Sequence, residues 1–69
     1  MEMHQLSRRQ NEVLRLVVEG YTNRRIGLVL GISRQTVKNH LYEIYRLLGV
    51  RDRTQAAVMY VVEEMRKET

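Results

Sequence analysis

The sequence predicts an all-α domain of four helices. Three observations carry that prediction: the 69 residues contain no proline, apolar side chains recur at i, i+3 and i+4 rather than alternating, and the pattern breaks at glycines and at hydroxyl or acidic caps. A single domain over residues 1–69 accommodates the pattern, with helices expected at about 8–19, 23–30, 34–48 and 53–67. A chain this short buries only about 60% of the surface its unfolded form exposes, so the core is thin.

The first helix opens on Ser7-Arg8-Arg9-Gln10, a capping box in which the serine oxygen accepts the Gln10 N–H and the glutamine reaches back. Val13, Leu14, Val17 and Val18 form its expected buried stripe, and Gly20 closes it after Glu19. Thr22 can cap a second helix of about two turns, whose expected buried face is Ile26, Val29 and Leu30. Gly31 then stands where a left-handed cap is wanted, Ile32 supplies the accompanying apolar contact, and Ser33 caps the next helix. A Gly-Ile-Ser connection is too short for two helices to lie side by side antiparallel. They must cross steeply, which makes a helix-turn-helix.

The third helix, Arg34 to Leu48, carries Val37, Leu41, Ile44 and Leu48 on one line and stops at Gly49. On a helical wheel these four fall within about 60° of one another. The opposite side is Gln35, Asn39, Tyr42 and Arg46, flanked by Lys38 and Glu43. Asn and Gln suit adenine edges in a major groove, Lys suits guanine acceptors, and Tyr can donate to phosphate or touch a thymine methyl. A merely solvated face would instead carry Glu-Lys pairs at i, i+4.

The fourth helix opens at Asp52-Arg53-Thr54-Gln55 and is apolar all round from Ala56 to Val62. Ala57, Val58 and Val61 are expected to seat on the first three helices. That leaves Met59, Tyr60 and Val62 to be covered by a second copy across a two-fold axis, forming a homodimer interface.

The charge is uneven. The chain carries +4 in total, the first twenty residues sum to zero and the last fourteen to −1. Residues 21–55 hold Arg24, Arg25, Arg34, Lys38, Arg46, Arg51 and Arg53 against Glu43 and Asp52, a net +5. Ten of the twelve cations are arginine, whose planar fork matches phosphates and guanine edges. The composition argues against an enzyme: there is no cysteine, one aspartate, no nucleophile-base pair and no phosphate-binding glycine loop. His4 and His40, far apart and without other soft ligands, do not make a metal site. The longest apolar runs, Ile26 to Ile32 and Ala56 to Val62, are seven residues each, against the ~20 that span a bilayer. No membrane partner is expected, and the first four residues lack the apolar core of a signal peptide.

Leu6-Ser7, Glu12-Val13-Leu14, Gly20, Thr22-Asn23, Ile26, Leu30-Gly31-Ile32-Ser33, Thr36-Val37-Lys38, His40, Ile44, Leu48-Gly49-Val50, Arg53 and Ala56 fall in the order and spacing of a known family. From about Leu6 to Val62 the chain resembles the LuxR/FixJ-type (GerE-like) helix-turn-helix DNA-binding domain. The resemblance implies a recognition helix in the major groove of double-stranded DNA and dimerisation through the fourth helix. It further implies transcription regulation in a bacterial cytoplasm, RNA polymerase as a further partner, and no cofactor.

Carried over by resemblance, the base-contacting positions are Lys38, Asn39 and Tyr42. The phosphate-contacting set is Thr22, Asn23, Arg24, Arg25, Ser33, Arg34, Gln35, Thr36 and Arg46, at helix caps and first turns where free N–H groups attract anions and among the arginines of the basic segment. His40, on the inward edge beside Leu41, is expected to pack and hydrogen-bond rather than bind a ligand. Three positions depart from the family's habit. Arg25 replaces a common glutamate, so Arg24-Arg25 put two cations at a helix N-terminus, where they are unfavourable unless a phosphate is near. Gly27 replaces a common alanine at a cost of ~1 kcal/mol in helix propensity, which predicts close approach by a neighbouring helix. Leu47 replaces a common lysine.

Two other readings compete. A sigma-factor-like promoter-reading domain shares the helix-turn-helix, but the Leu48-Gly49-Val50 break and the apolar fourth helix argue against it. A protein-interaction module on the same fold predicts a surface poor in cations, which the +5 segment contradicts. Both a stand-alone regulator and the C-terminal part of a longer one fit the sequence.

Overall fold

The computed structural model describes residues 5–67, in which four helices follow one another: α1 (Arg8–Val18), α2 (Asn23–Leu30), α3 (Arg34–Leu48) and α4 (Arg53–Lys67). Each boundary has a local cause. At the start of α1, Ser7 Oγ accepts the Gln10 N–H at 3.1 Å and Gln10 Oε1 accepts the Ser7 N–H at 2.8 Å, a complete capping box. The helix ends at Val18, one residue before the expected Glu19, because Gly20 and Tyr21 turn back to donate to the Val17 and Leu16 carbonyls, each at 3.0 Å. Thr22 caps α2 by accepting the Arg25 N–H at 3.2 Å, and Ser33 caps α3 by accepting the Thr36 N–H at 3.0 Å. At α4, Asp52 Oδ1 accepts the Gln55 N–H at 2.9 Å, while Gln55 Oε1 reaches past Asp52 to accept the Arg51 N–H at 3.0 Å.

The core is Leu6, Val13, Leu14, Leu16, Val17, Ile26, Val37, Leu41, Ile44, Leu48 and Ala56. Helix α1 packs against the other three helices, and α3 packs against α2 and α4. Asn11 is buried with them and is satisfied at the helix start, its Nδ2 donating to the Leu6 and Ser7 carbonyls at 3.4 and 3.2 Å. The stripe expected on α1 needs one adjustment: Val18 is only half-buried, whereas Leu16 is buried.

Helix α2 departs further from expectation. Ile26 is buried, but Val29 is 55% exposed and its place on the buried face is taken by Gly27. The approach comes from the turn rather than from a neighbouring helix. A Cβ on Gly27 would lie 2.6 Å from the Ile32 carbonyl oxygen, and the Ile32 N–H donates to the Gly27 carbonyl at 2.9 Å. Gly31, at φ 70°, bends the chain there through the left-handed region that a side chain disfavours. The turn therefore folds onto the Gly27 side of α2 and rotates Val29 outward.

Helix α4 is also rotated from the expected face. Ala56 is fully buried and Met59 and Tyr60 are half-buried against the core, while Val58 is 57% exposed and Val61, Val62 and Met65 are exposed as well. The expected seating of Val58 and Val61 is thus wrong, and Met59 and Tyr60, expected on an outer interface, face inward. The cause lies at the first residue of the helix. Arg53 reaches across to α2, donating from Nη1 to Asn23 Oδ1 at 2.8 Å and from Nη2 to the Tyr21 carbonyl. With Arg53 turned toward α2, the positions three and seven residues on, Ala56 and Tyr60, follow it inward.

Candidate nucleic-acid interface

The burial of Val37, Leu41, Ile44 and Leu48 fixes the rotation of α3 and leaves Gln35, Lys38, Asn39, Tyr42 and Arg46 exposed on its outer side. Tyr42 is 73% exposed there. Gln35 Nε2 donates to Asn39 Oδ1 at 3.1 Å, one turn along the helix, so the Asn39 amide is held by a neighbour with its two N–H groups directed elsewhere. Arg46 is engaged differently. Its Nη2 and Nε lie 2.6 and 3.1 Å from Glu43 Oε1, an exposed pair of the kind that contributes little to stability and opens readily for a stronger anion. Leu47, where the resemblance leads one to expect a cation, packs half-buried against the core, and His40 is half-buried.

Beside this face, where the 20–23 loop meets the start of α3, lies an open depression. Thr22, Asn23, Arg24, Arg34 and Arg53 line it together with Gly20 and Tyr21. Three arginines are thus among its lining residues, and among the described residues no carboxylate lines it. The N-termini of α2 and α3 flank it, so helix dipoles add to the positive field. Thr22, Arg24, Ser33, Arg34 and Gln35 are exposed and Thr36 is half-buried, its hydroxyl 2.9 Å from Ser33 Oγ. Arg25 is not among the lining residues: its guanidinium carbon lies 5.4 Å from the centroid of the Tyr21 ring, a cation–π contact.

Arg53 is the residue whose role sequence reasoning missed. It belongs to the family-like pattern, but its partners are Asn23 and the Tyr21 carbonyl, about thirty positions earlier, and no local spacing reveals that. Tyr45 of α3 sits in the same neighbourhood. Burial pushes its phenol above the ordinary value of 10.0, the Arg53 cation opposes that shift, and the Asp52 carboxylate adds to it.

A second exposed feature is apolar. Val58, Val61 and Val62 of α4, with Ala57 behind them and Val18 of α1 alongside, line a shallow groove of almost entirely hydrocarbon surface. Among the described residues no helix is long and apolar enough to cross a membrane.

Comparison with known proteins gives a consistent answer. Residues 4–60 match the family described as bacterial regulatory proteins, luxR family (GerE). The chain is 54% identical over 56 residues to the transcriptional regulatory protein DegU of Brevibacillus brevis, which covers 81% of this chain and 24% of that protein. It is 48% identical over 58 residues to the putative HTH-type transcriptional regulator YhjB of Escherichia coli K12, covering 84% of this chain and 29% of that protein. To the transcriptional regulatory protein LiaR of Bacillus subtilis it is 51% identical over 53 residues, covering 77% of this chain and 25% of that protein. The chain thus spans 24% to 29% of the length of these relatives.

Proposed function

The chain belongs to the luxR family of bacterial regulatory proteins, and on that premise we propose that it is a sequence-specific DNA-binding domain of a transcriptional regulator, with α3 lying in the major groove. Lys38, Asn39 and Tyr42 face the base edges. Thr22, Asn23, Arg24, Ser33, Arg34, Gln35 and Thr36 hold the flanking phosphates, and Arg25 and Arg46 join them once released from Tyr21 and Glu43. The observation that carries this reading is the adjacency of two surfaces. An outward helix face rich in hydrogen-bonding side chains stands next to an arginine-lined depression that no carboxylate lines among the described residues.

Two copies pair through the outward side of α4. Val58, Val61, Val62 and Met65 supply that contact, with Met59 and Tyr60 backing it from within. The pair presents two α3 helices to half-sites about one helical turn, ~34 Å, apart. The family match, with relatives named as transcriptional regulators, supports a role in regulation rather than catalysis, and contact with RNA polymerase belongs to the whole regulator in this reading.

The test compares cognate with random duplex. Lys38→Ala or Asn39→Ala should reduce discrimination between the two by ~1 to 3 kcal/mol while the thermal melt stays unchanged. Equal loss on both duplexes would reduce these residues to backbone contacts.

A further inference from the structure

We propose that Arg53 is a positioning residue for DNA binding, acting through Asn23 rather than on the nucleic acid itself. Arg53 opens α4, whereas Asn23 is the first residue of α2 and lines the arginine-rich depression. One arm of the guanidinium donates to Asn23 Oδ1 at 2.8 Å and the other to the Tyr21 carbonyl. Two donors in a rigid fork thus hold two acceptors on one short loop, a geometry that lysine's point charge cannot reproduce.

The chemistry of the amide gives this contact a direction. An asparagine has one acceptor end and one donor end, and Arg53 can only donate. With Oδ1 committed to Arg53, the Nδ2 group is the end left for an anion. Unrestrained, the amide could rotate and offer a phosphate its oxygen instead. Arg53 is half-buried, with its two arms turned to the loop, which fits an orienting role better than a direct phosphate clamp. The ladder of contacts also joins α4, the helix of the dimer contact, to the phosphate-facing start of α2.

This inference rests on the DNA-binding reading, and a double-mutant cycle separates the two. Asn23→Ala and Arg53→Lys are each expected to weaken binding to duplex about tenfold, by loss of a hydrogen bond to a charged group. The double variant should then bind within about twofold of Asn23→Ala alone, since Arg53 has nothing left to orient. Losses that multiply to about a hundredfold would mean that Arg53 meets phosphate independently, and the inference would fall. A second readout uses the unaltered protein, so it does not depend on any variant folding. The Asn23 side-chain amide protons, followed by nitrogen-edited NMR during a duplex titration, should shift and exchange more slowly with solvent at saturation. Resonances unmoved at saturation would overturn the inference even where the Lys38→Ala result upholds the DNA-binding reading. Failure of the wild-type protein to prefer any duplex would instead overturn that reading.

Discussion

Helices α3 and α4 are both fifteen residues long, both bury one side in the same core, and both leave a broad outer side in solvent, yet the two outer sides are chemically opposite. That of α3 presents Gln35, Lys38, Asn39 and Tyr42, and that of α4 presents Val58, Val61, Val62 and Met65. Exposure alone therefore says little about function. A face of donors and acceptors keeps its water until a polar partner replaces it, whereas a hydrocarbon face gains free energy by leaving water altogether, at about 25 cal/mol per Å². One surface suits a hydrated polyanion and the other suits a second apolar surface.

The sharpest way to break the contrast is to make the α4 face resemble the α3 face. Val61→Glu should disfavour dimer formation by about 3 kcal/mol or more, because each copy would bury an unpaired carboxylate. Sedimentation would register a monomer at concentrations where the wild type is dimeric, and an unchanged sedimentation coefficient would remove α4 from the interface. The next effect is on how α3 is held. Gly27→Ala places a methyl 2.6 Å from the Ile32 carbonyl oxygen, so the turn into α3 must shift. A loss of ~1 to 3 kcal/mol in urea unfolding is expected despite alanine's better helix propensity. A variant as stable as the wild type would show that the turn yields freely.

Smaller still is the change in electrostatics beside α3. Replacing both Arg24 and Arg34 with alanine should flatten the slope of log binding constant against log salt by about 1.8 for each copy bound, two phosphates at ~0.9 each. An unchanged slope would exclude both from the phosphate contacts. The smallest effect belongs to Tyr45, whose phenol is raised mainly by burial. A group with a raised folded pKa stabilises the fold fully below its unfolded value and loses that contribution as pH rises through the folded one. Stability should therefore hold from neutrality to about pH 10 and decline above it, and Tyr45→Phe should blunt the decline. Unfolding midpoints measured across that range, with an equal decline in both proteins, would assign it elsewhere.

The contrast also explains how far the sequence could be read. Val37, Leu41, Ile44 and Leu48 leave α3 only one way to turn, so its outer face was legible from spacing, as were the caps at Ser7, Thr22 and Ser33. Helix α4 is apolar around its whole circumference, and periodicity has no purchase on such a helix. Its rotation is decided by Arg53 meeting Asn23 and Tyr21, a contact between residues thirty and more positions apart. Val29 was misplaced for a related reason. On a two-turn helix the buried side depends on where the next turn folds, and here the Ile32 carbonyl against Gly27 decides it. The candidate phosphate residues were legible as cations and caps. That Arg24, Arg34 and Arg53 share one depression, while Arg25 lies against Tyr21, depends on tertiary placement.

Selection from a library of random duplexes, using the wild-type protein, tests both outer faces in one measurement. Base reading by α3 and two-fold pairing by α4 together predict an enriched sequence made of two related half-sites, inverted with respect to each other and centred about 10 base pairs apart. A single unpaired half-site would contradict the pairing through α4, and a bound pool with no enriched sequence would contradict the claim that α3 reads bases.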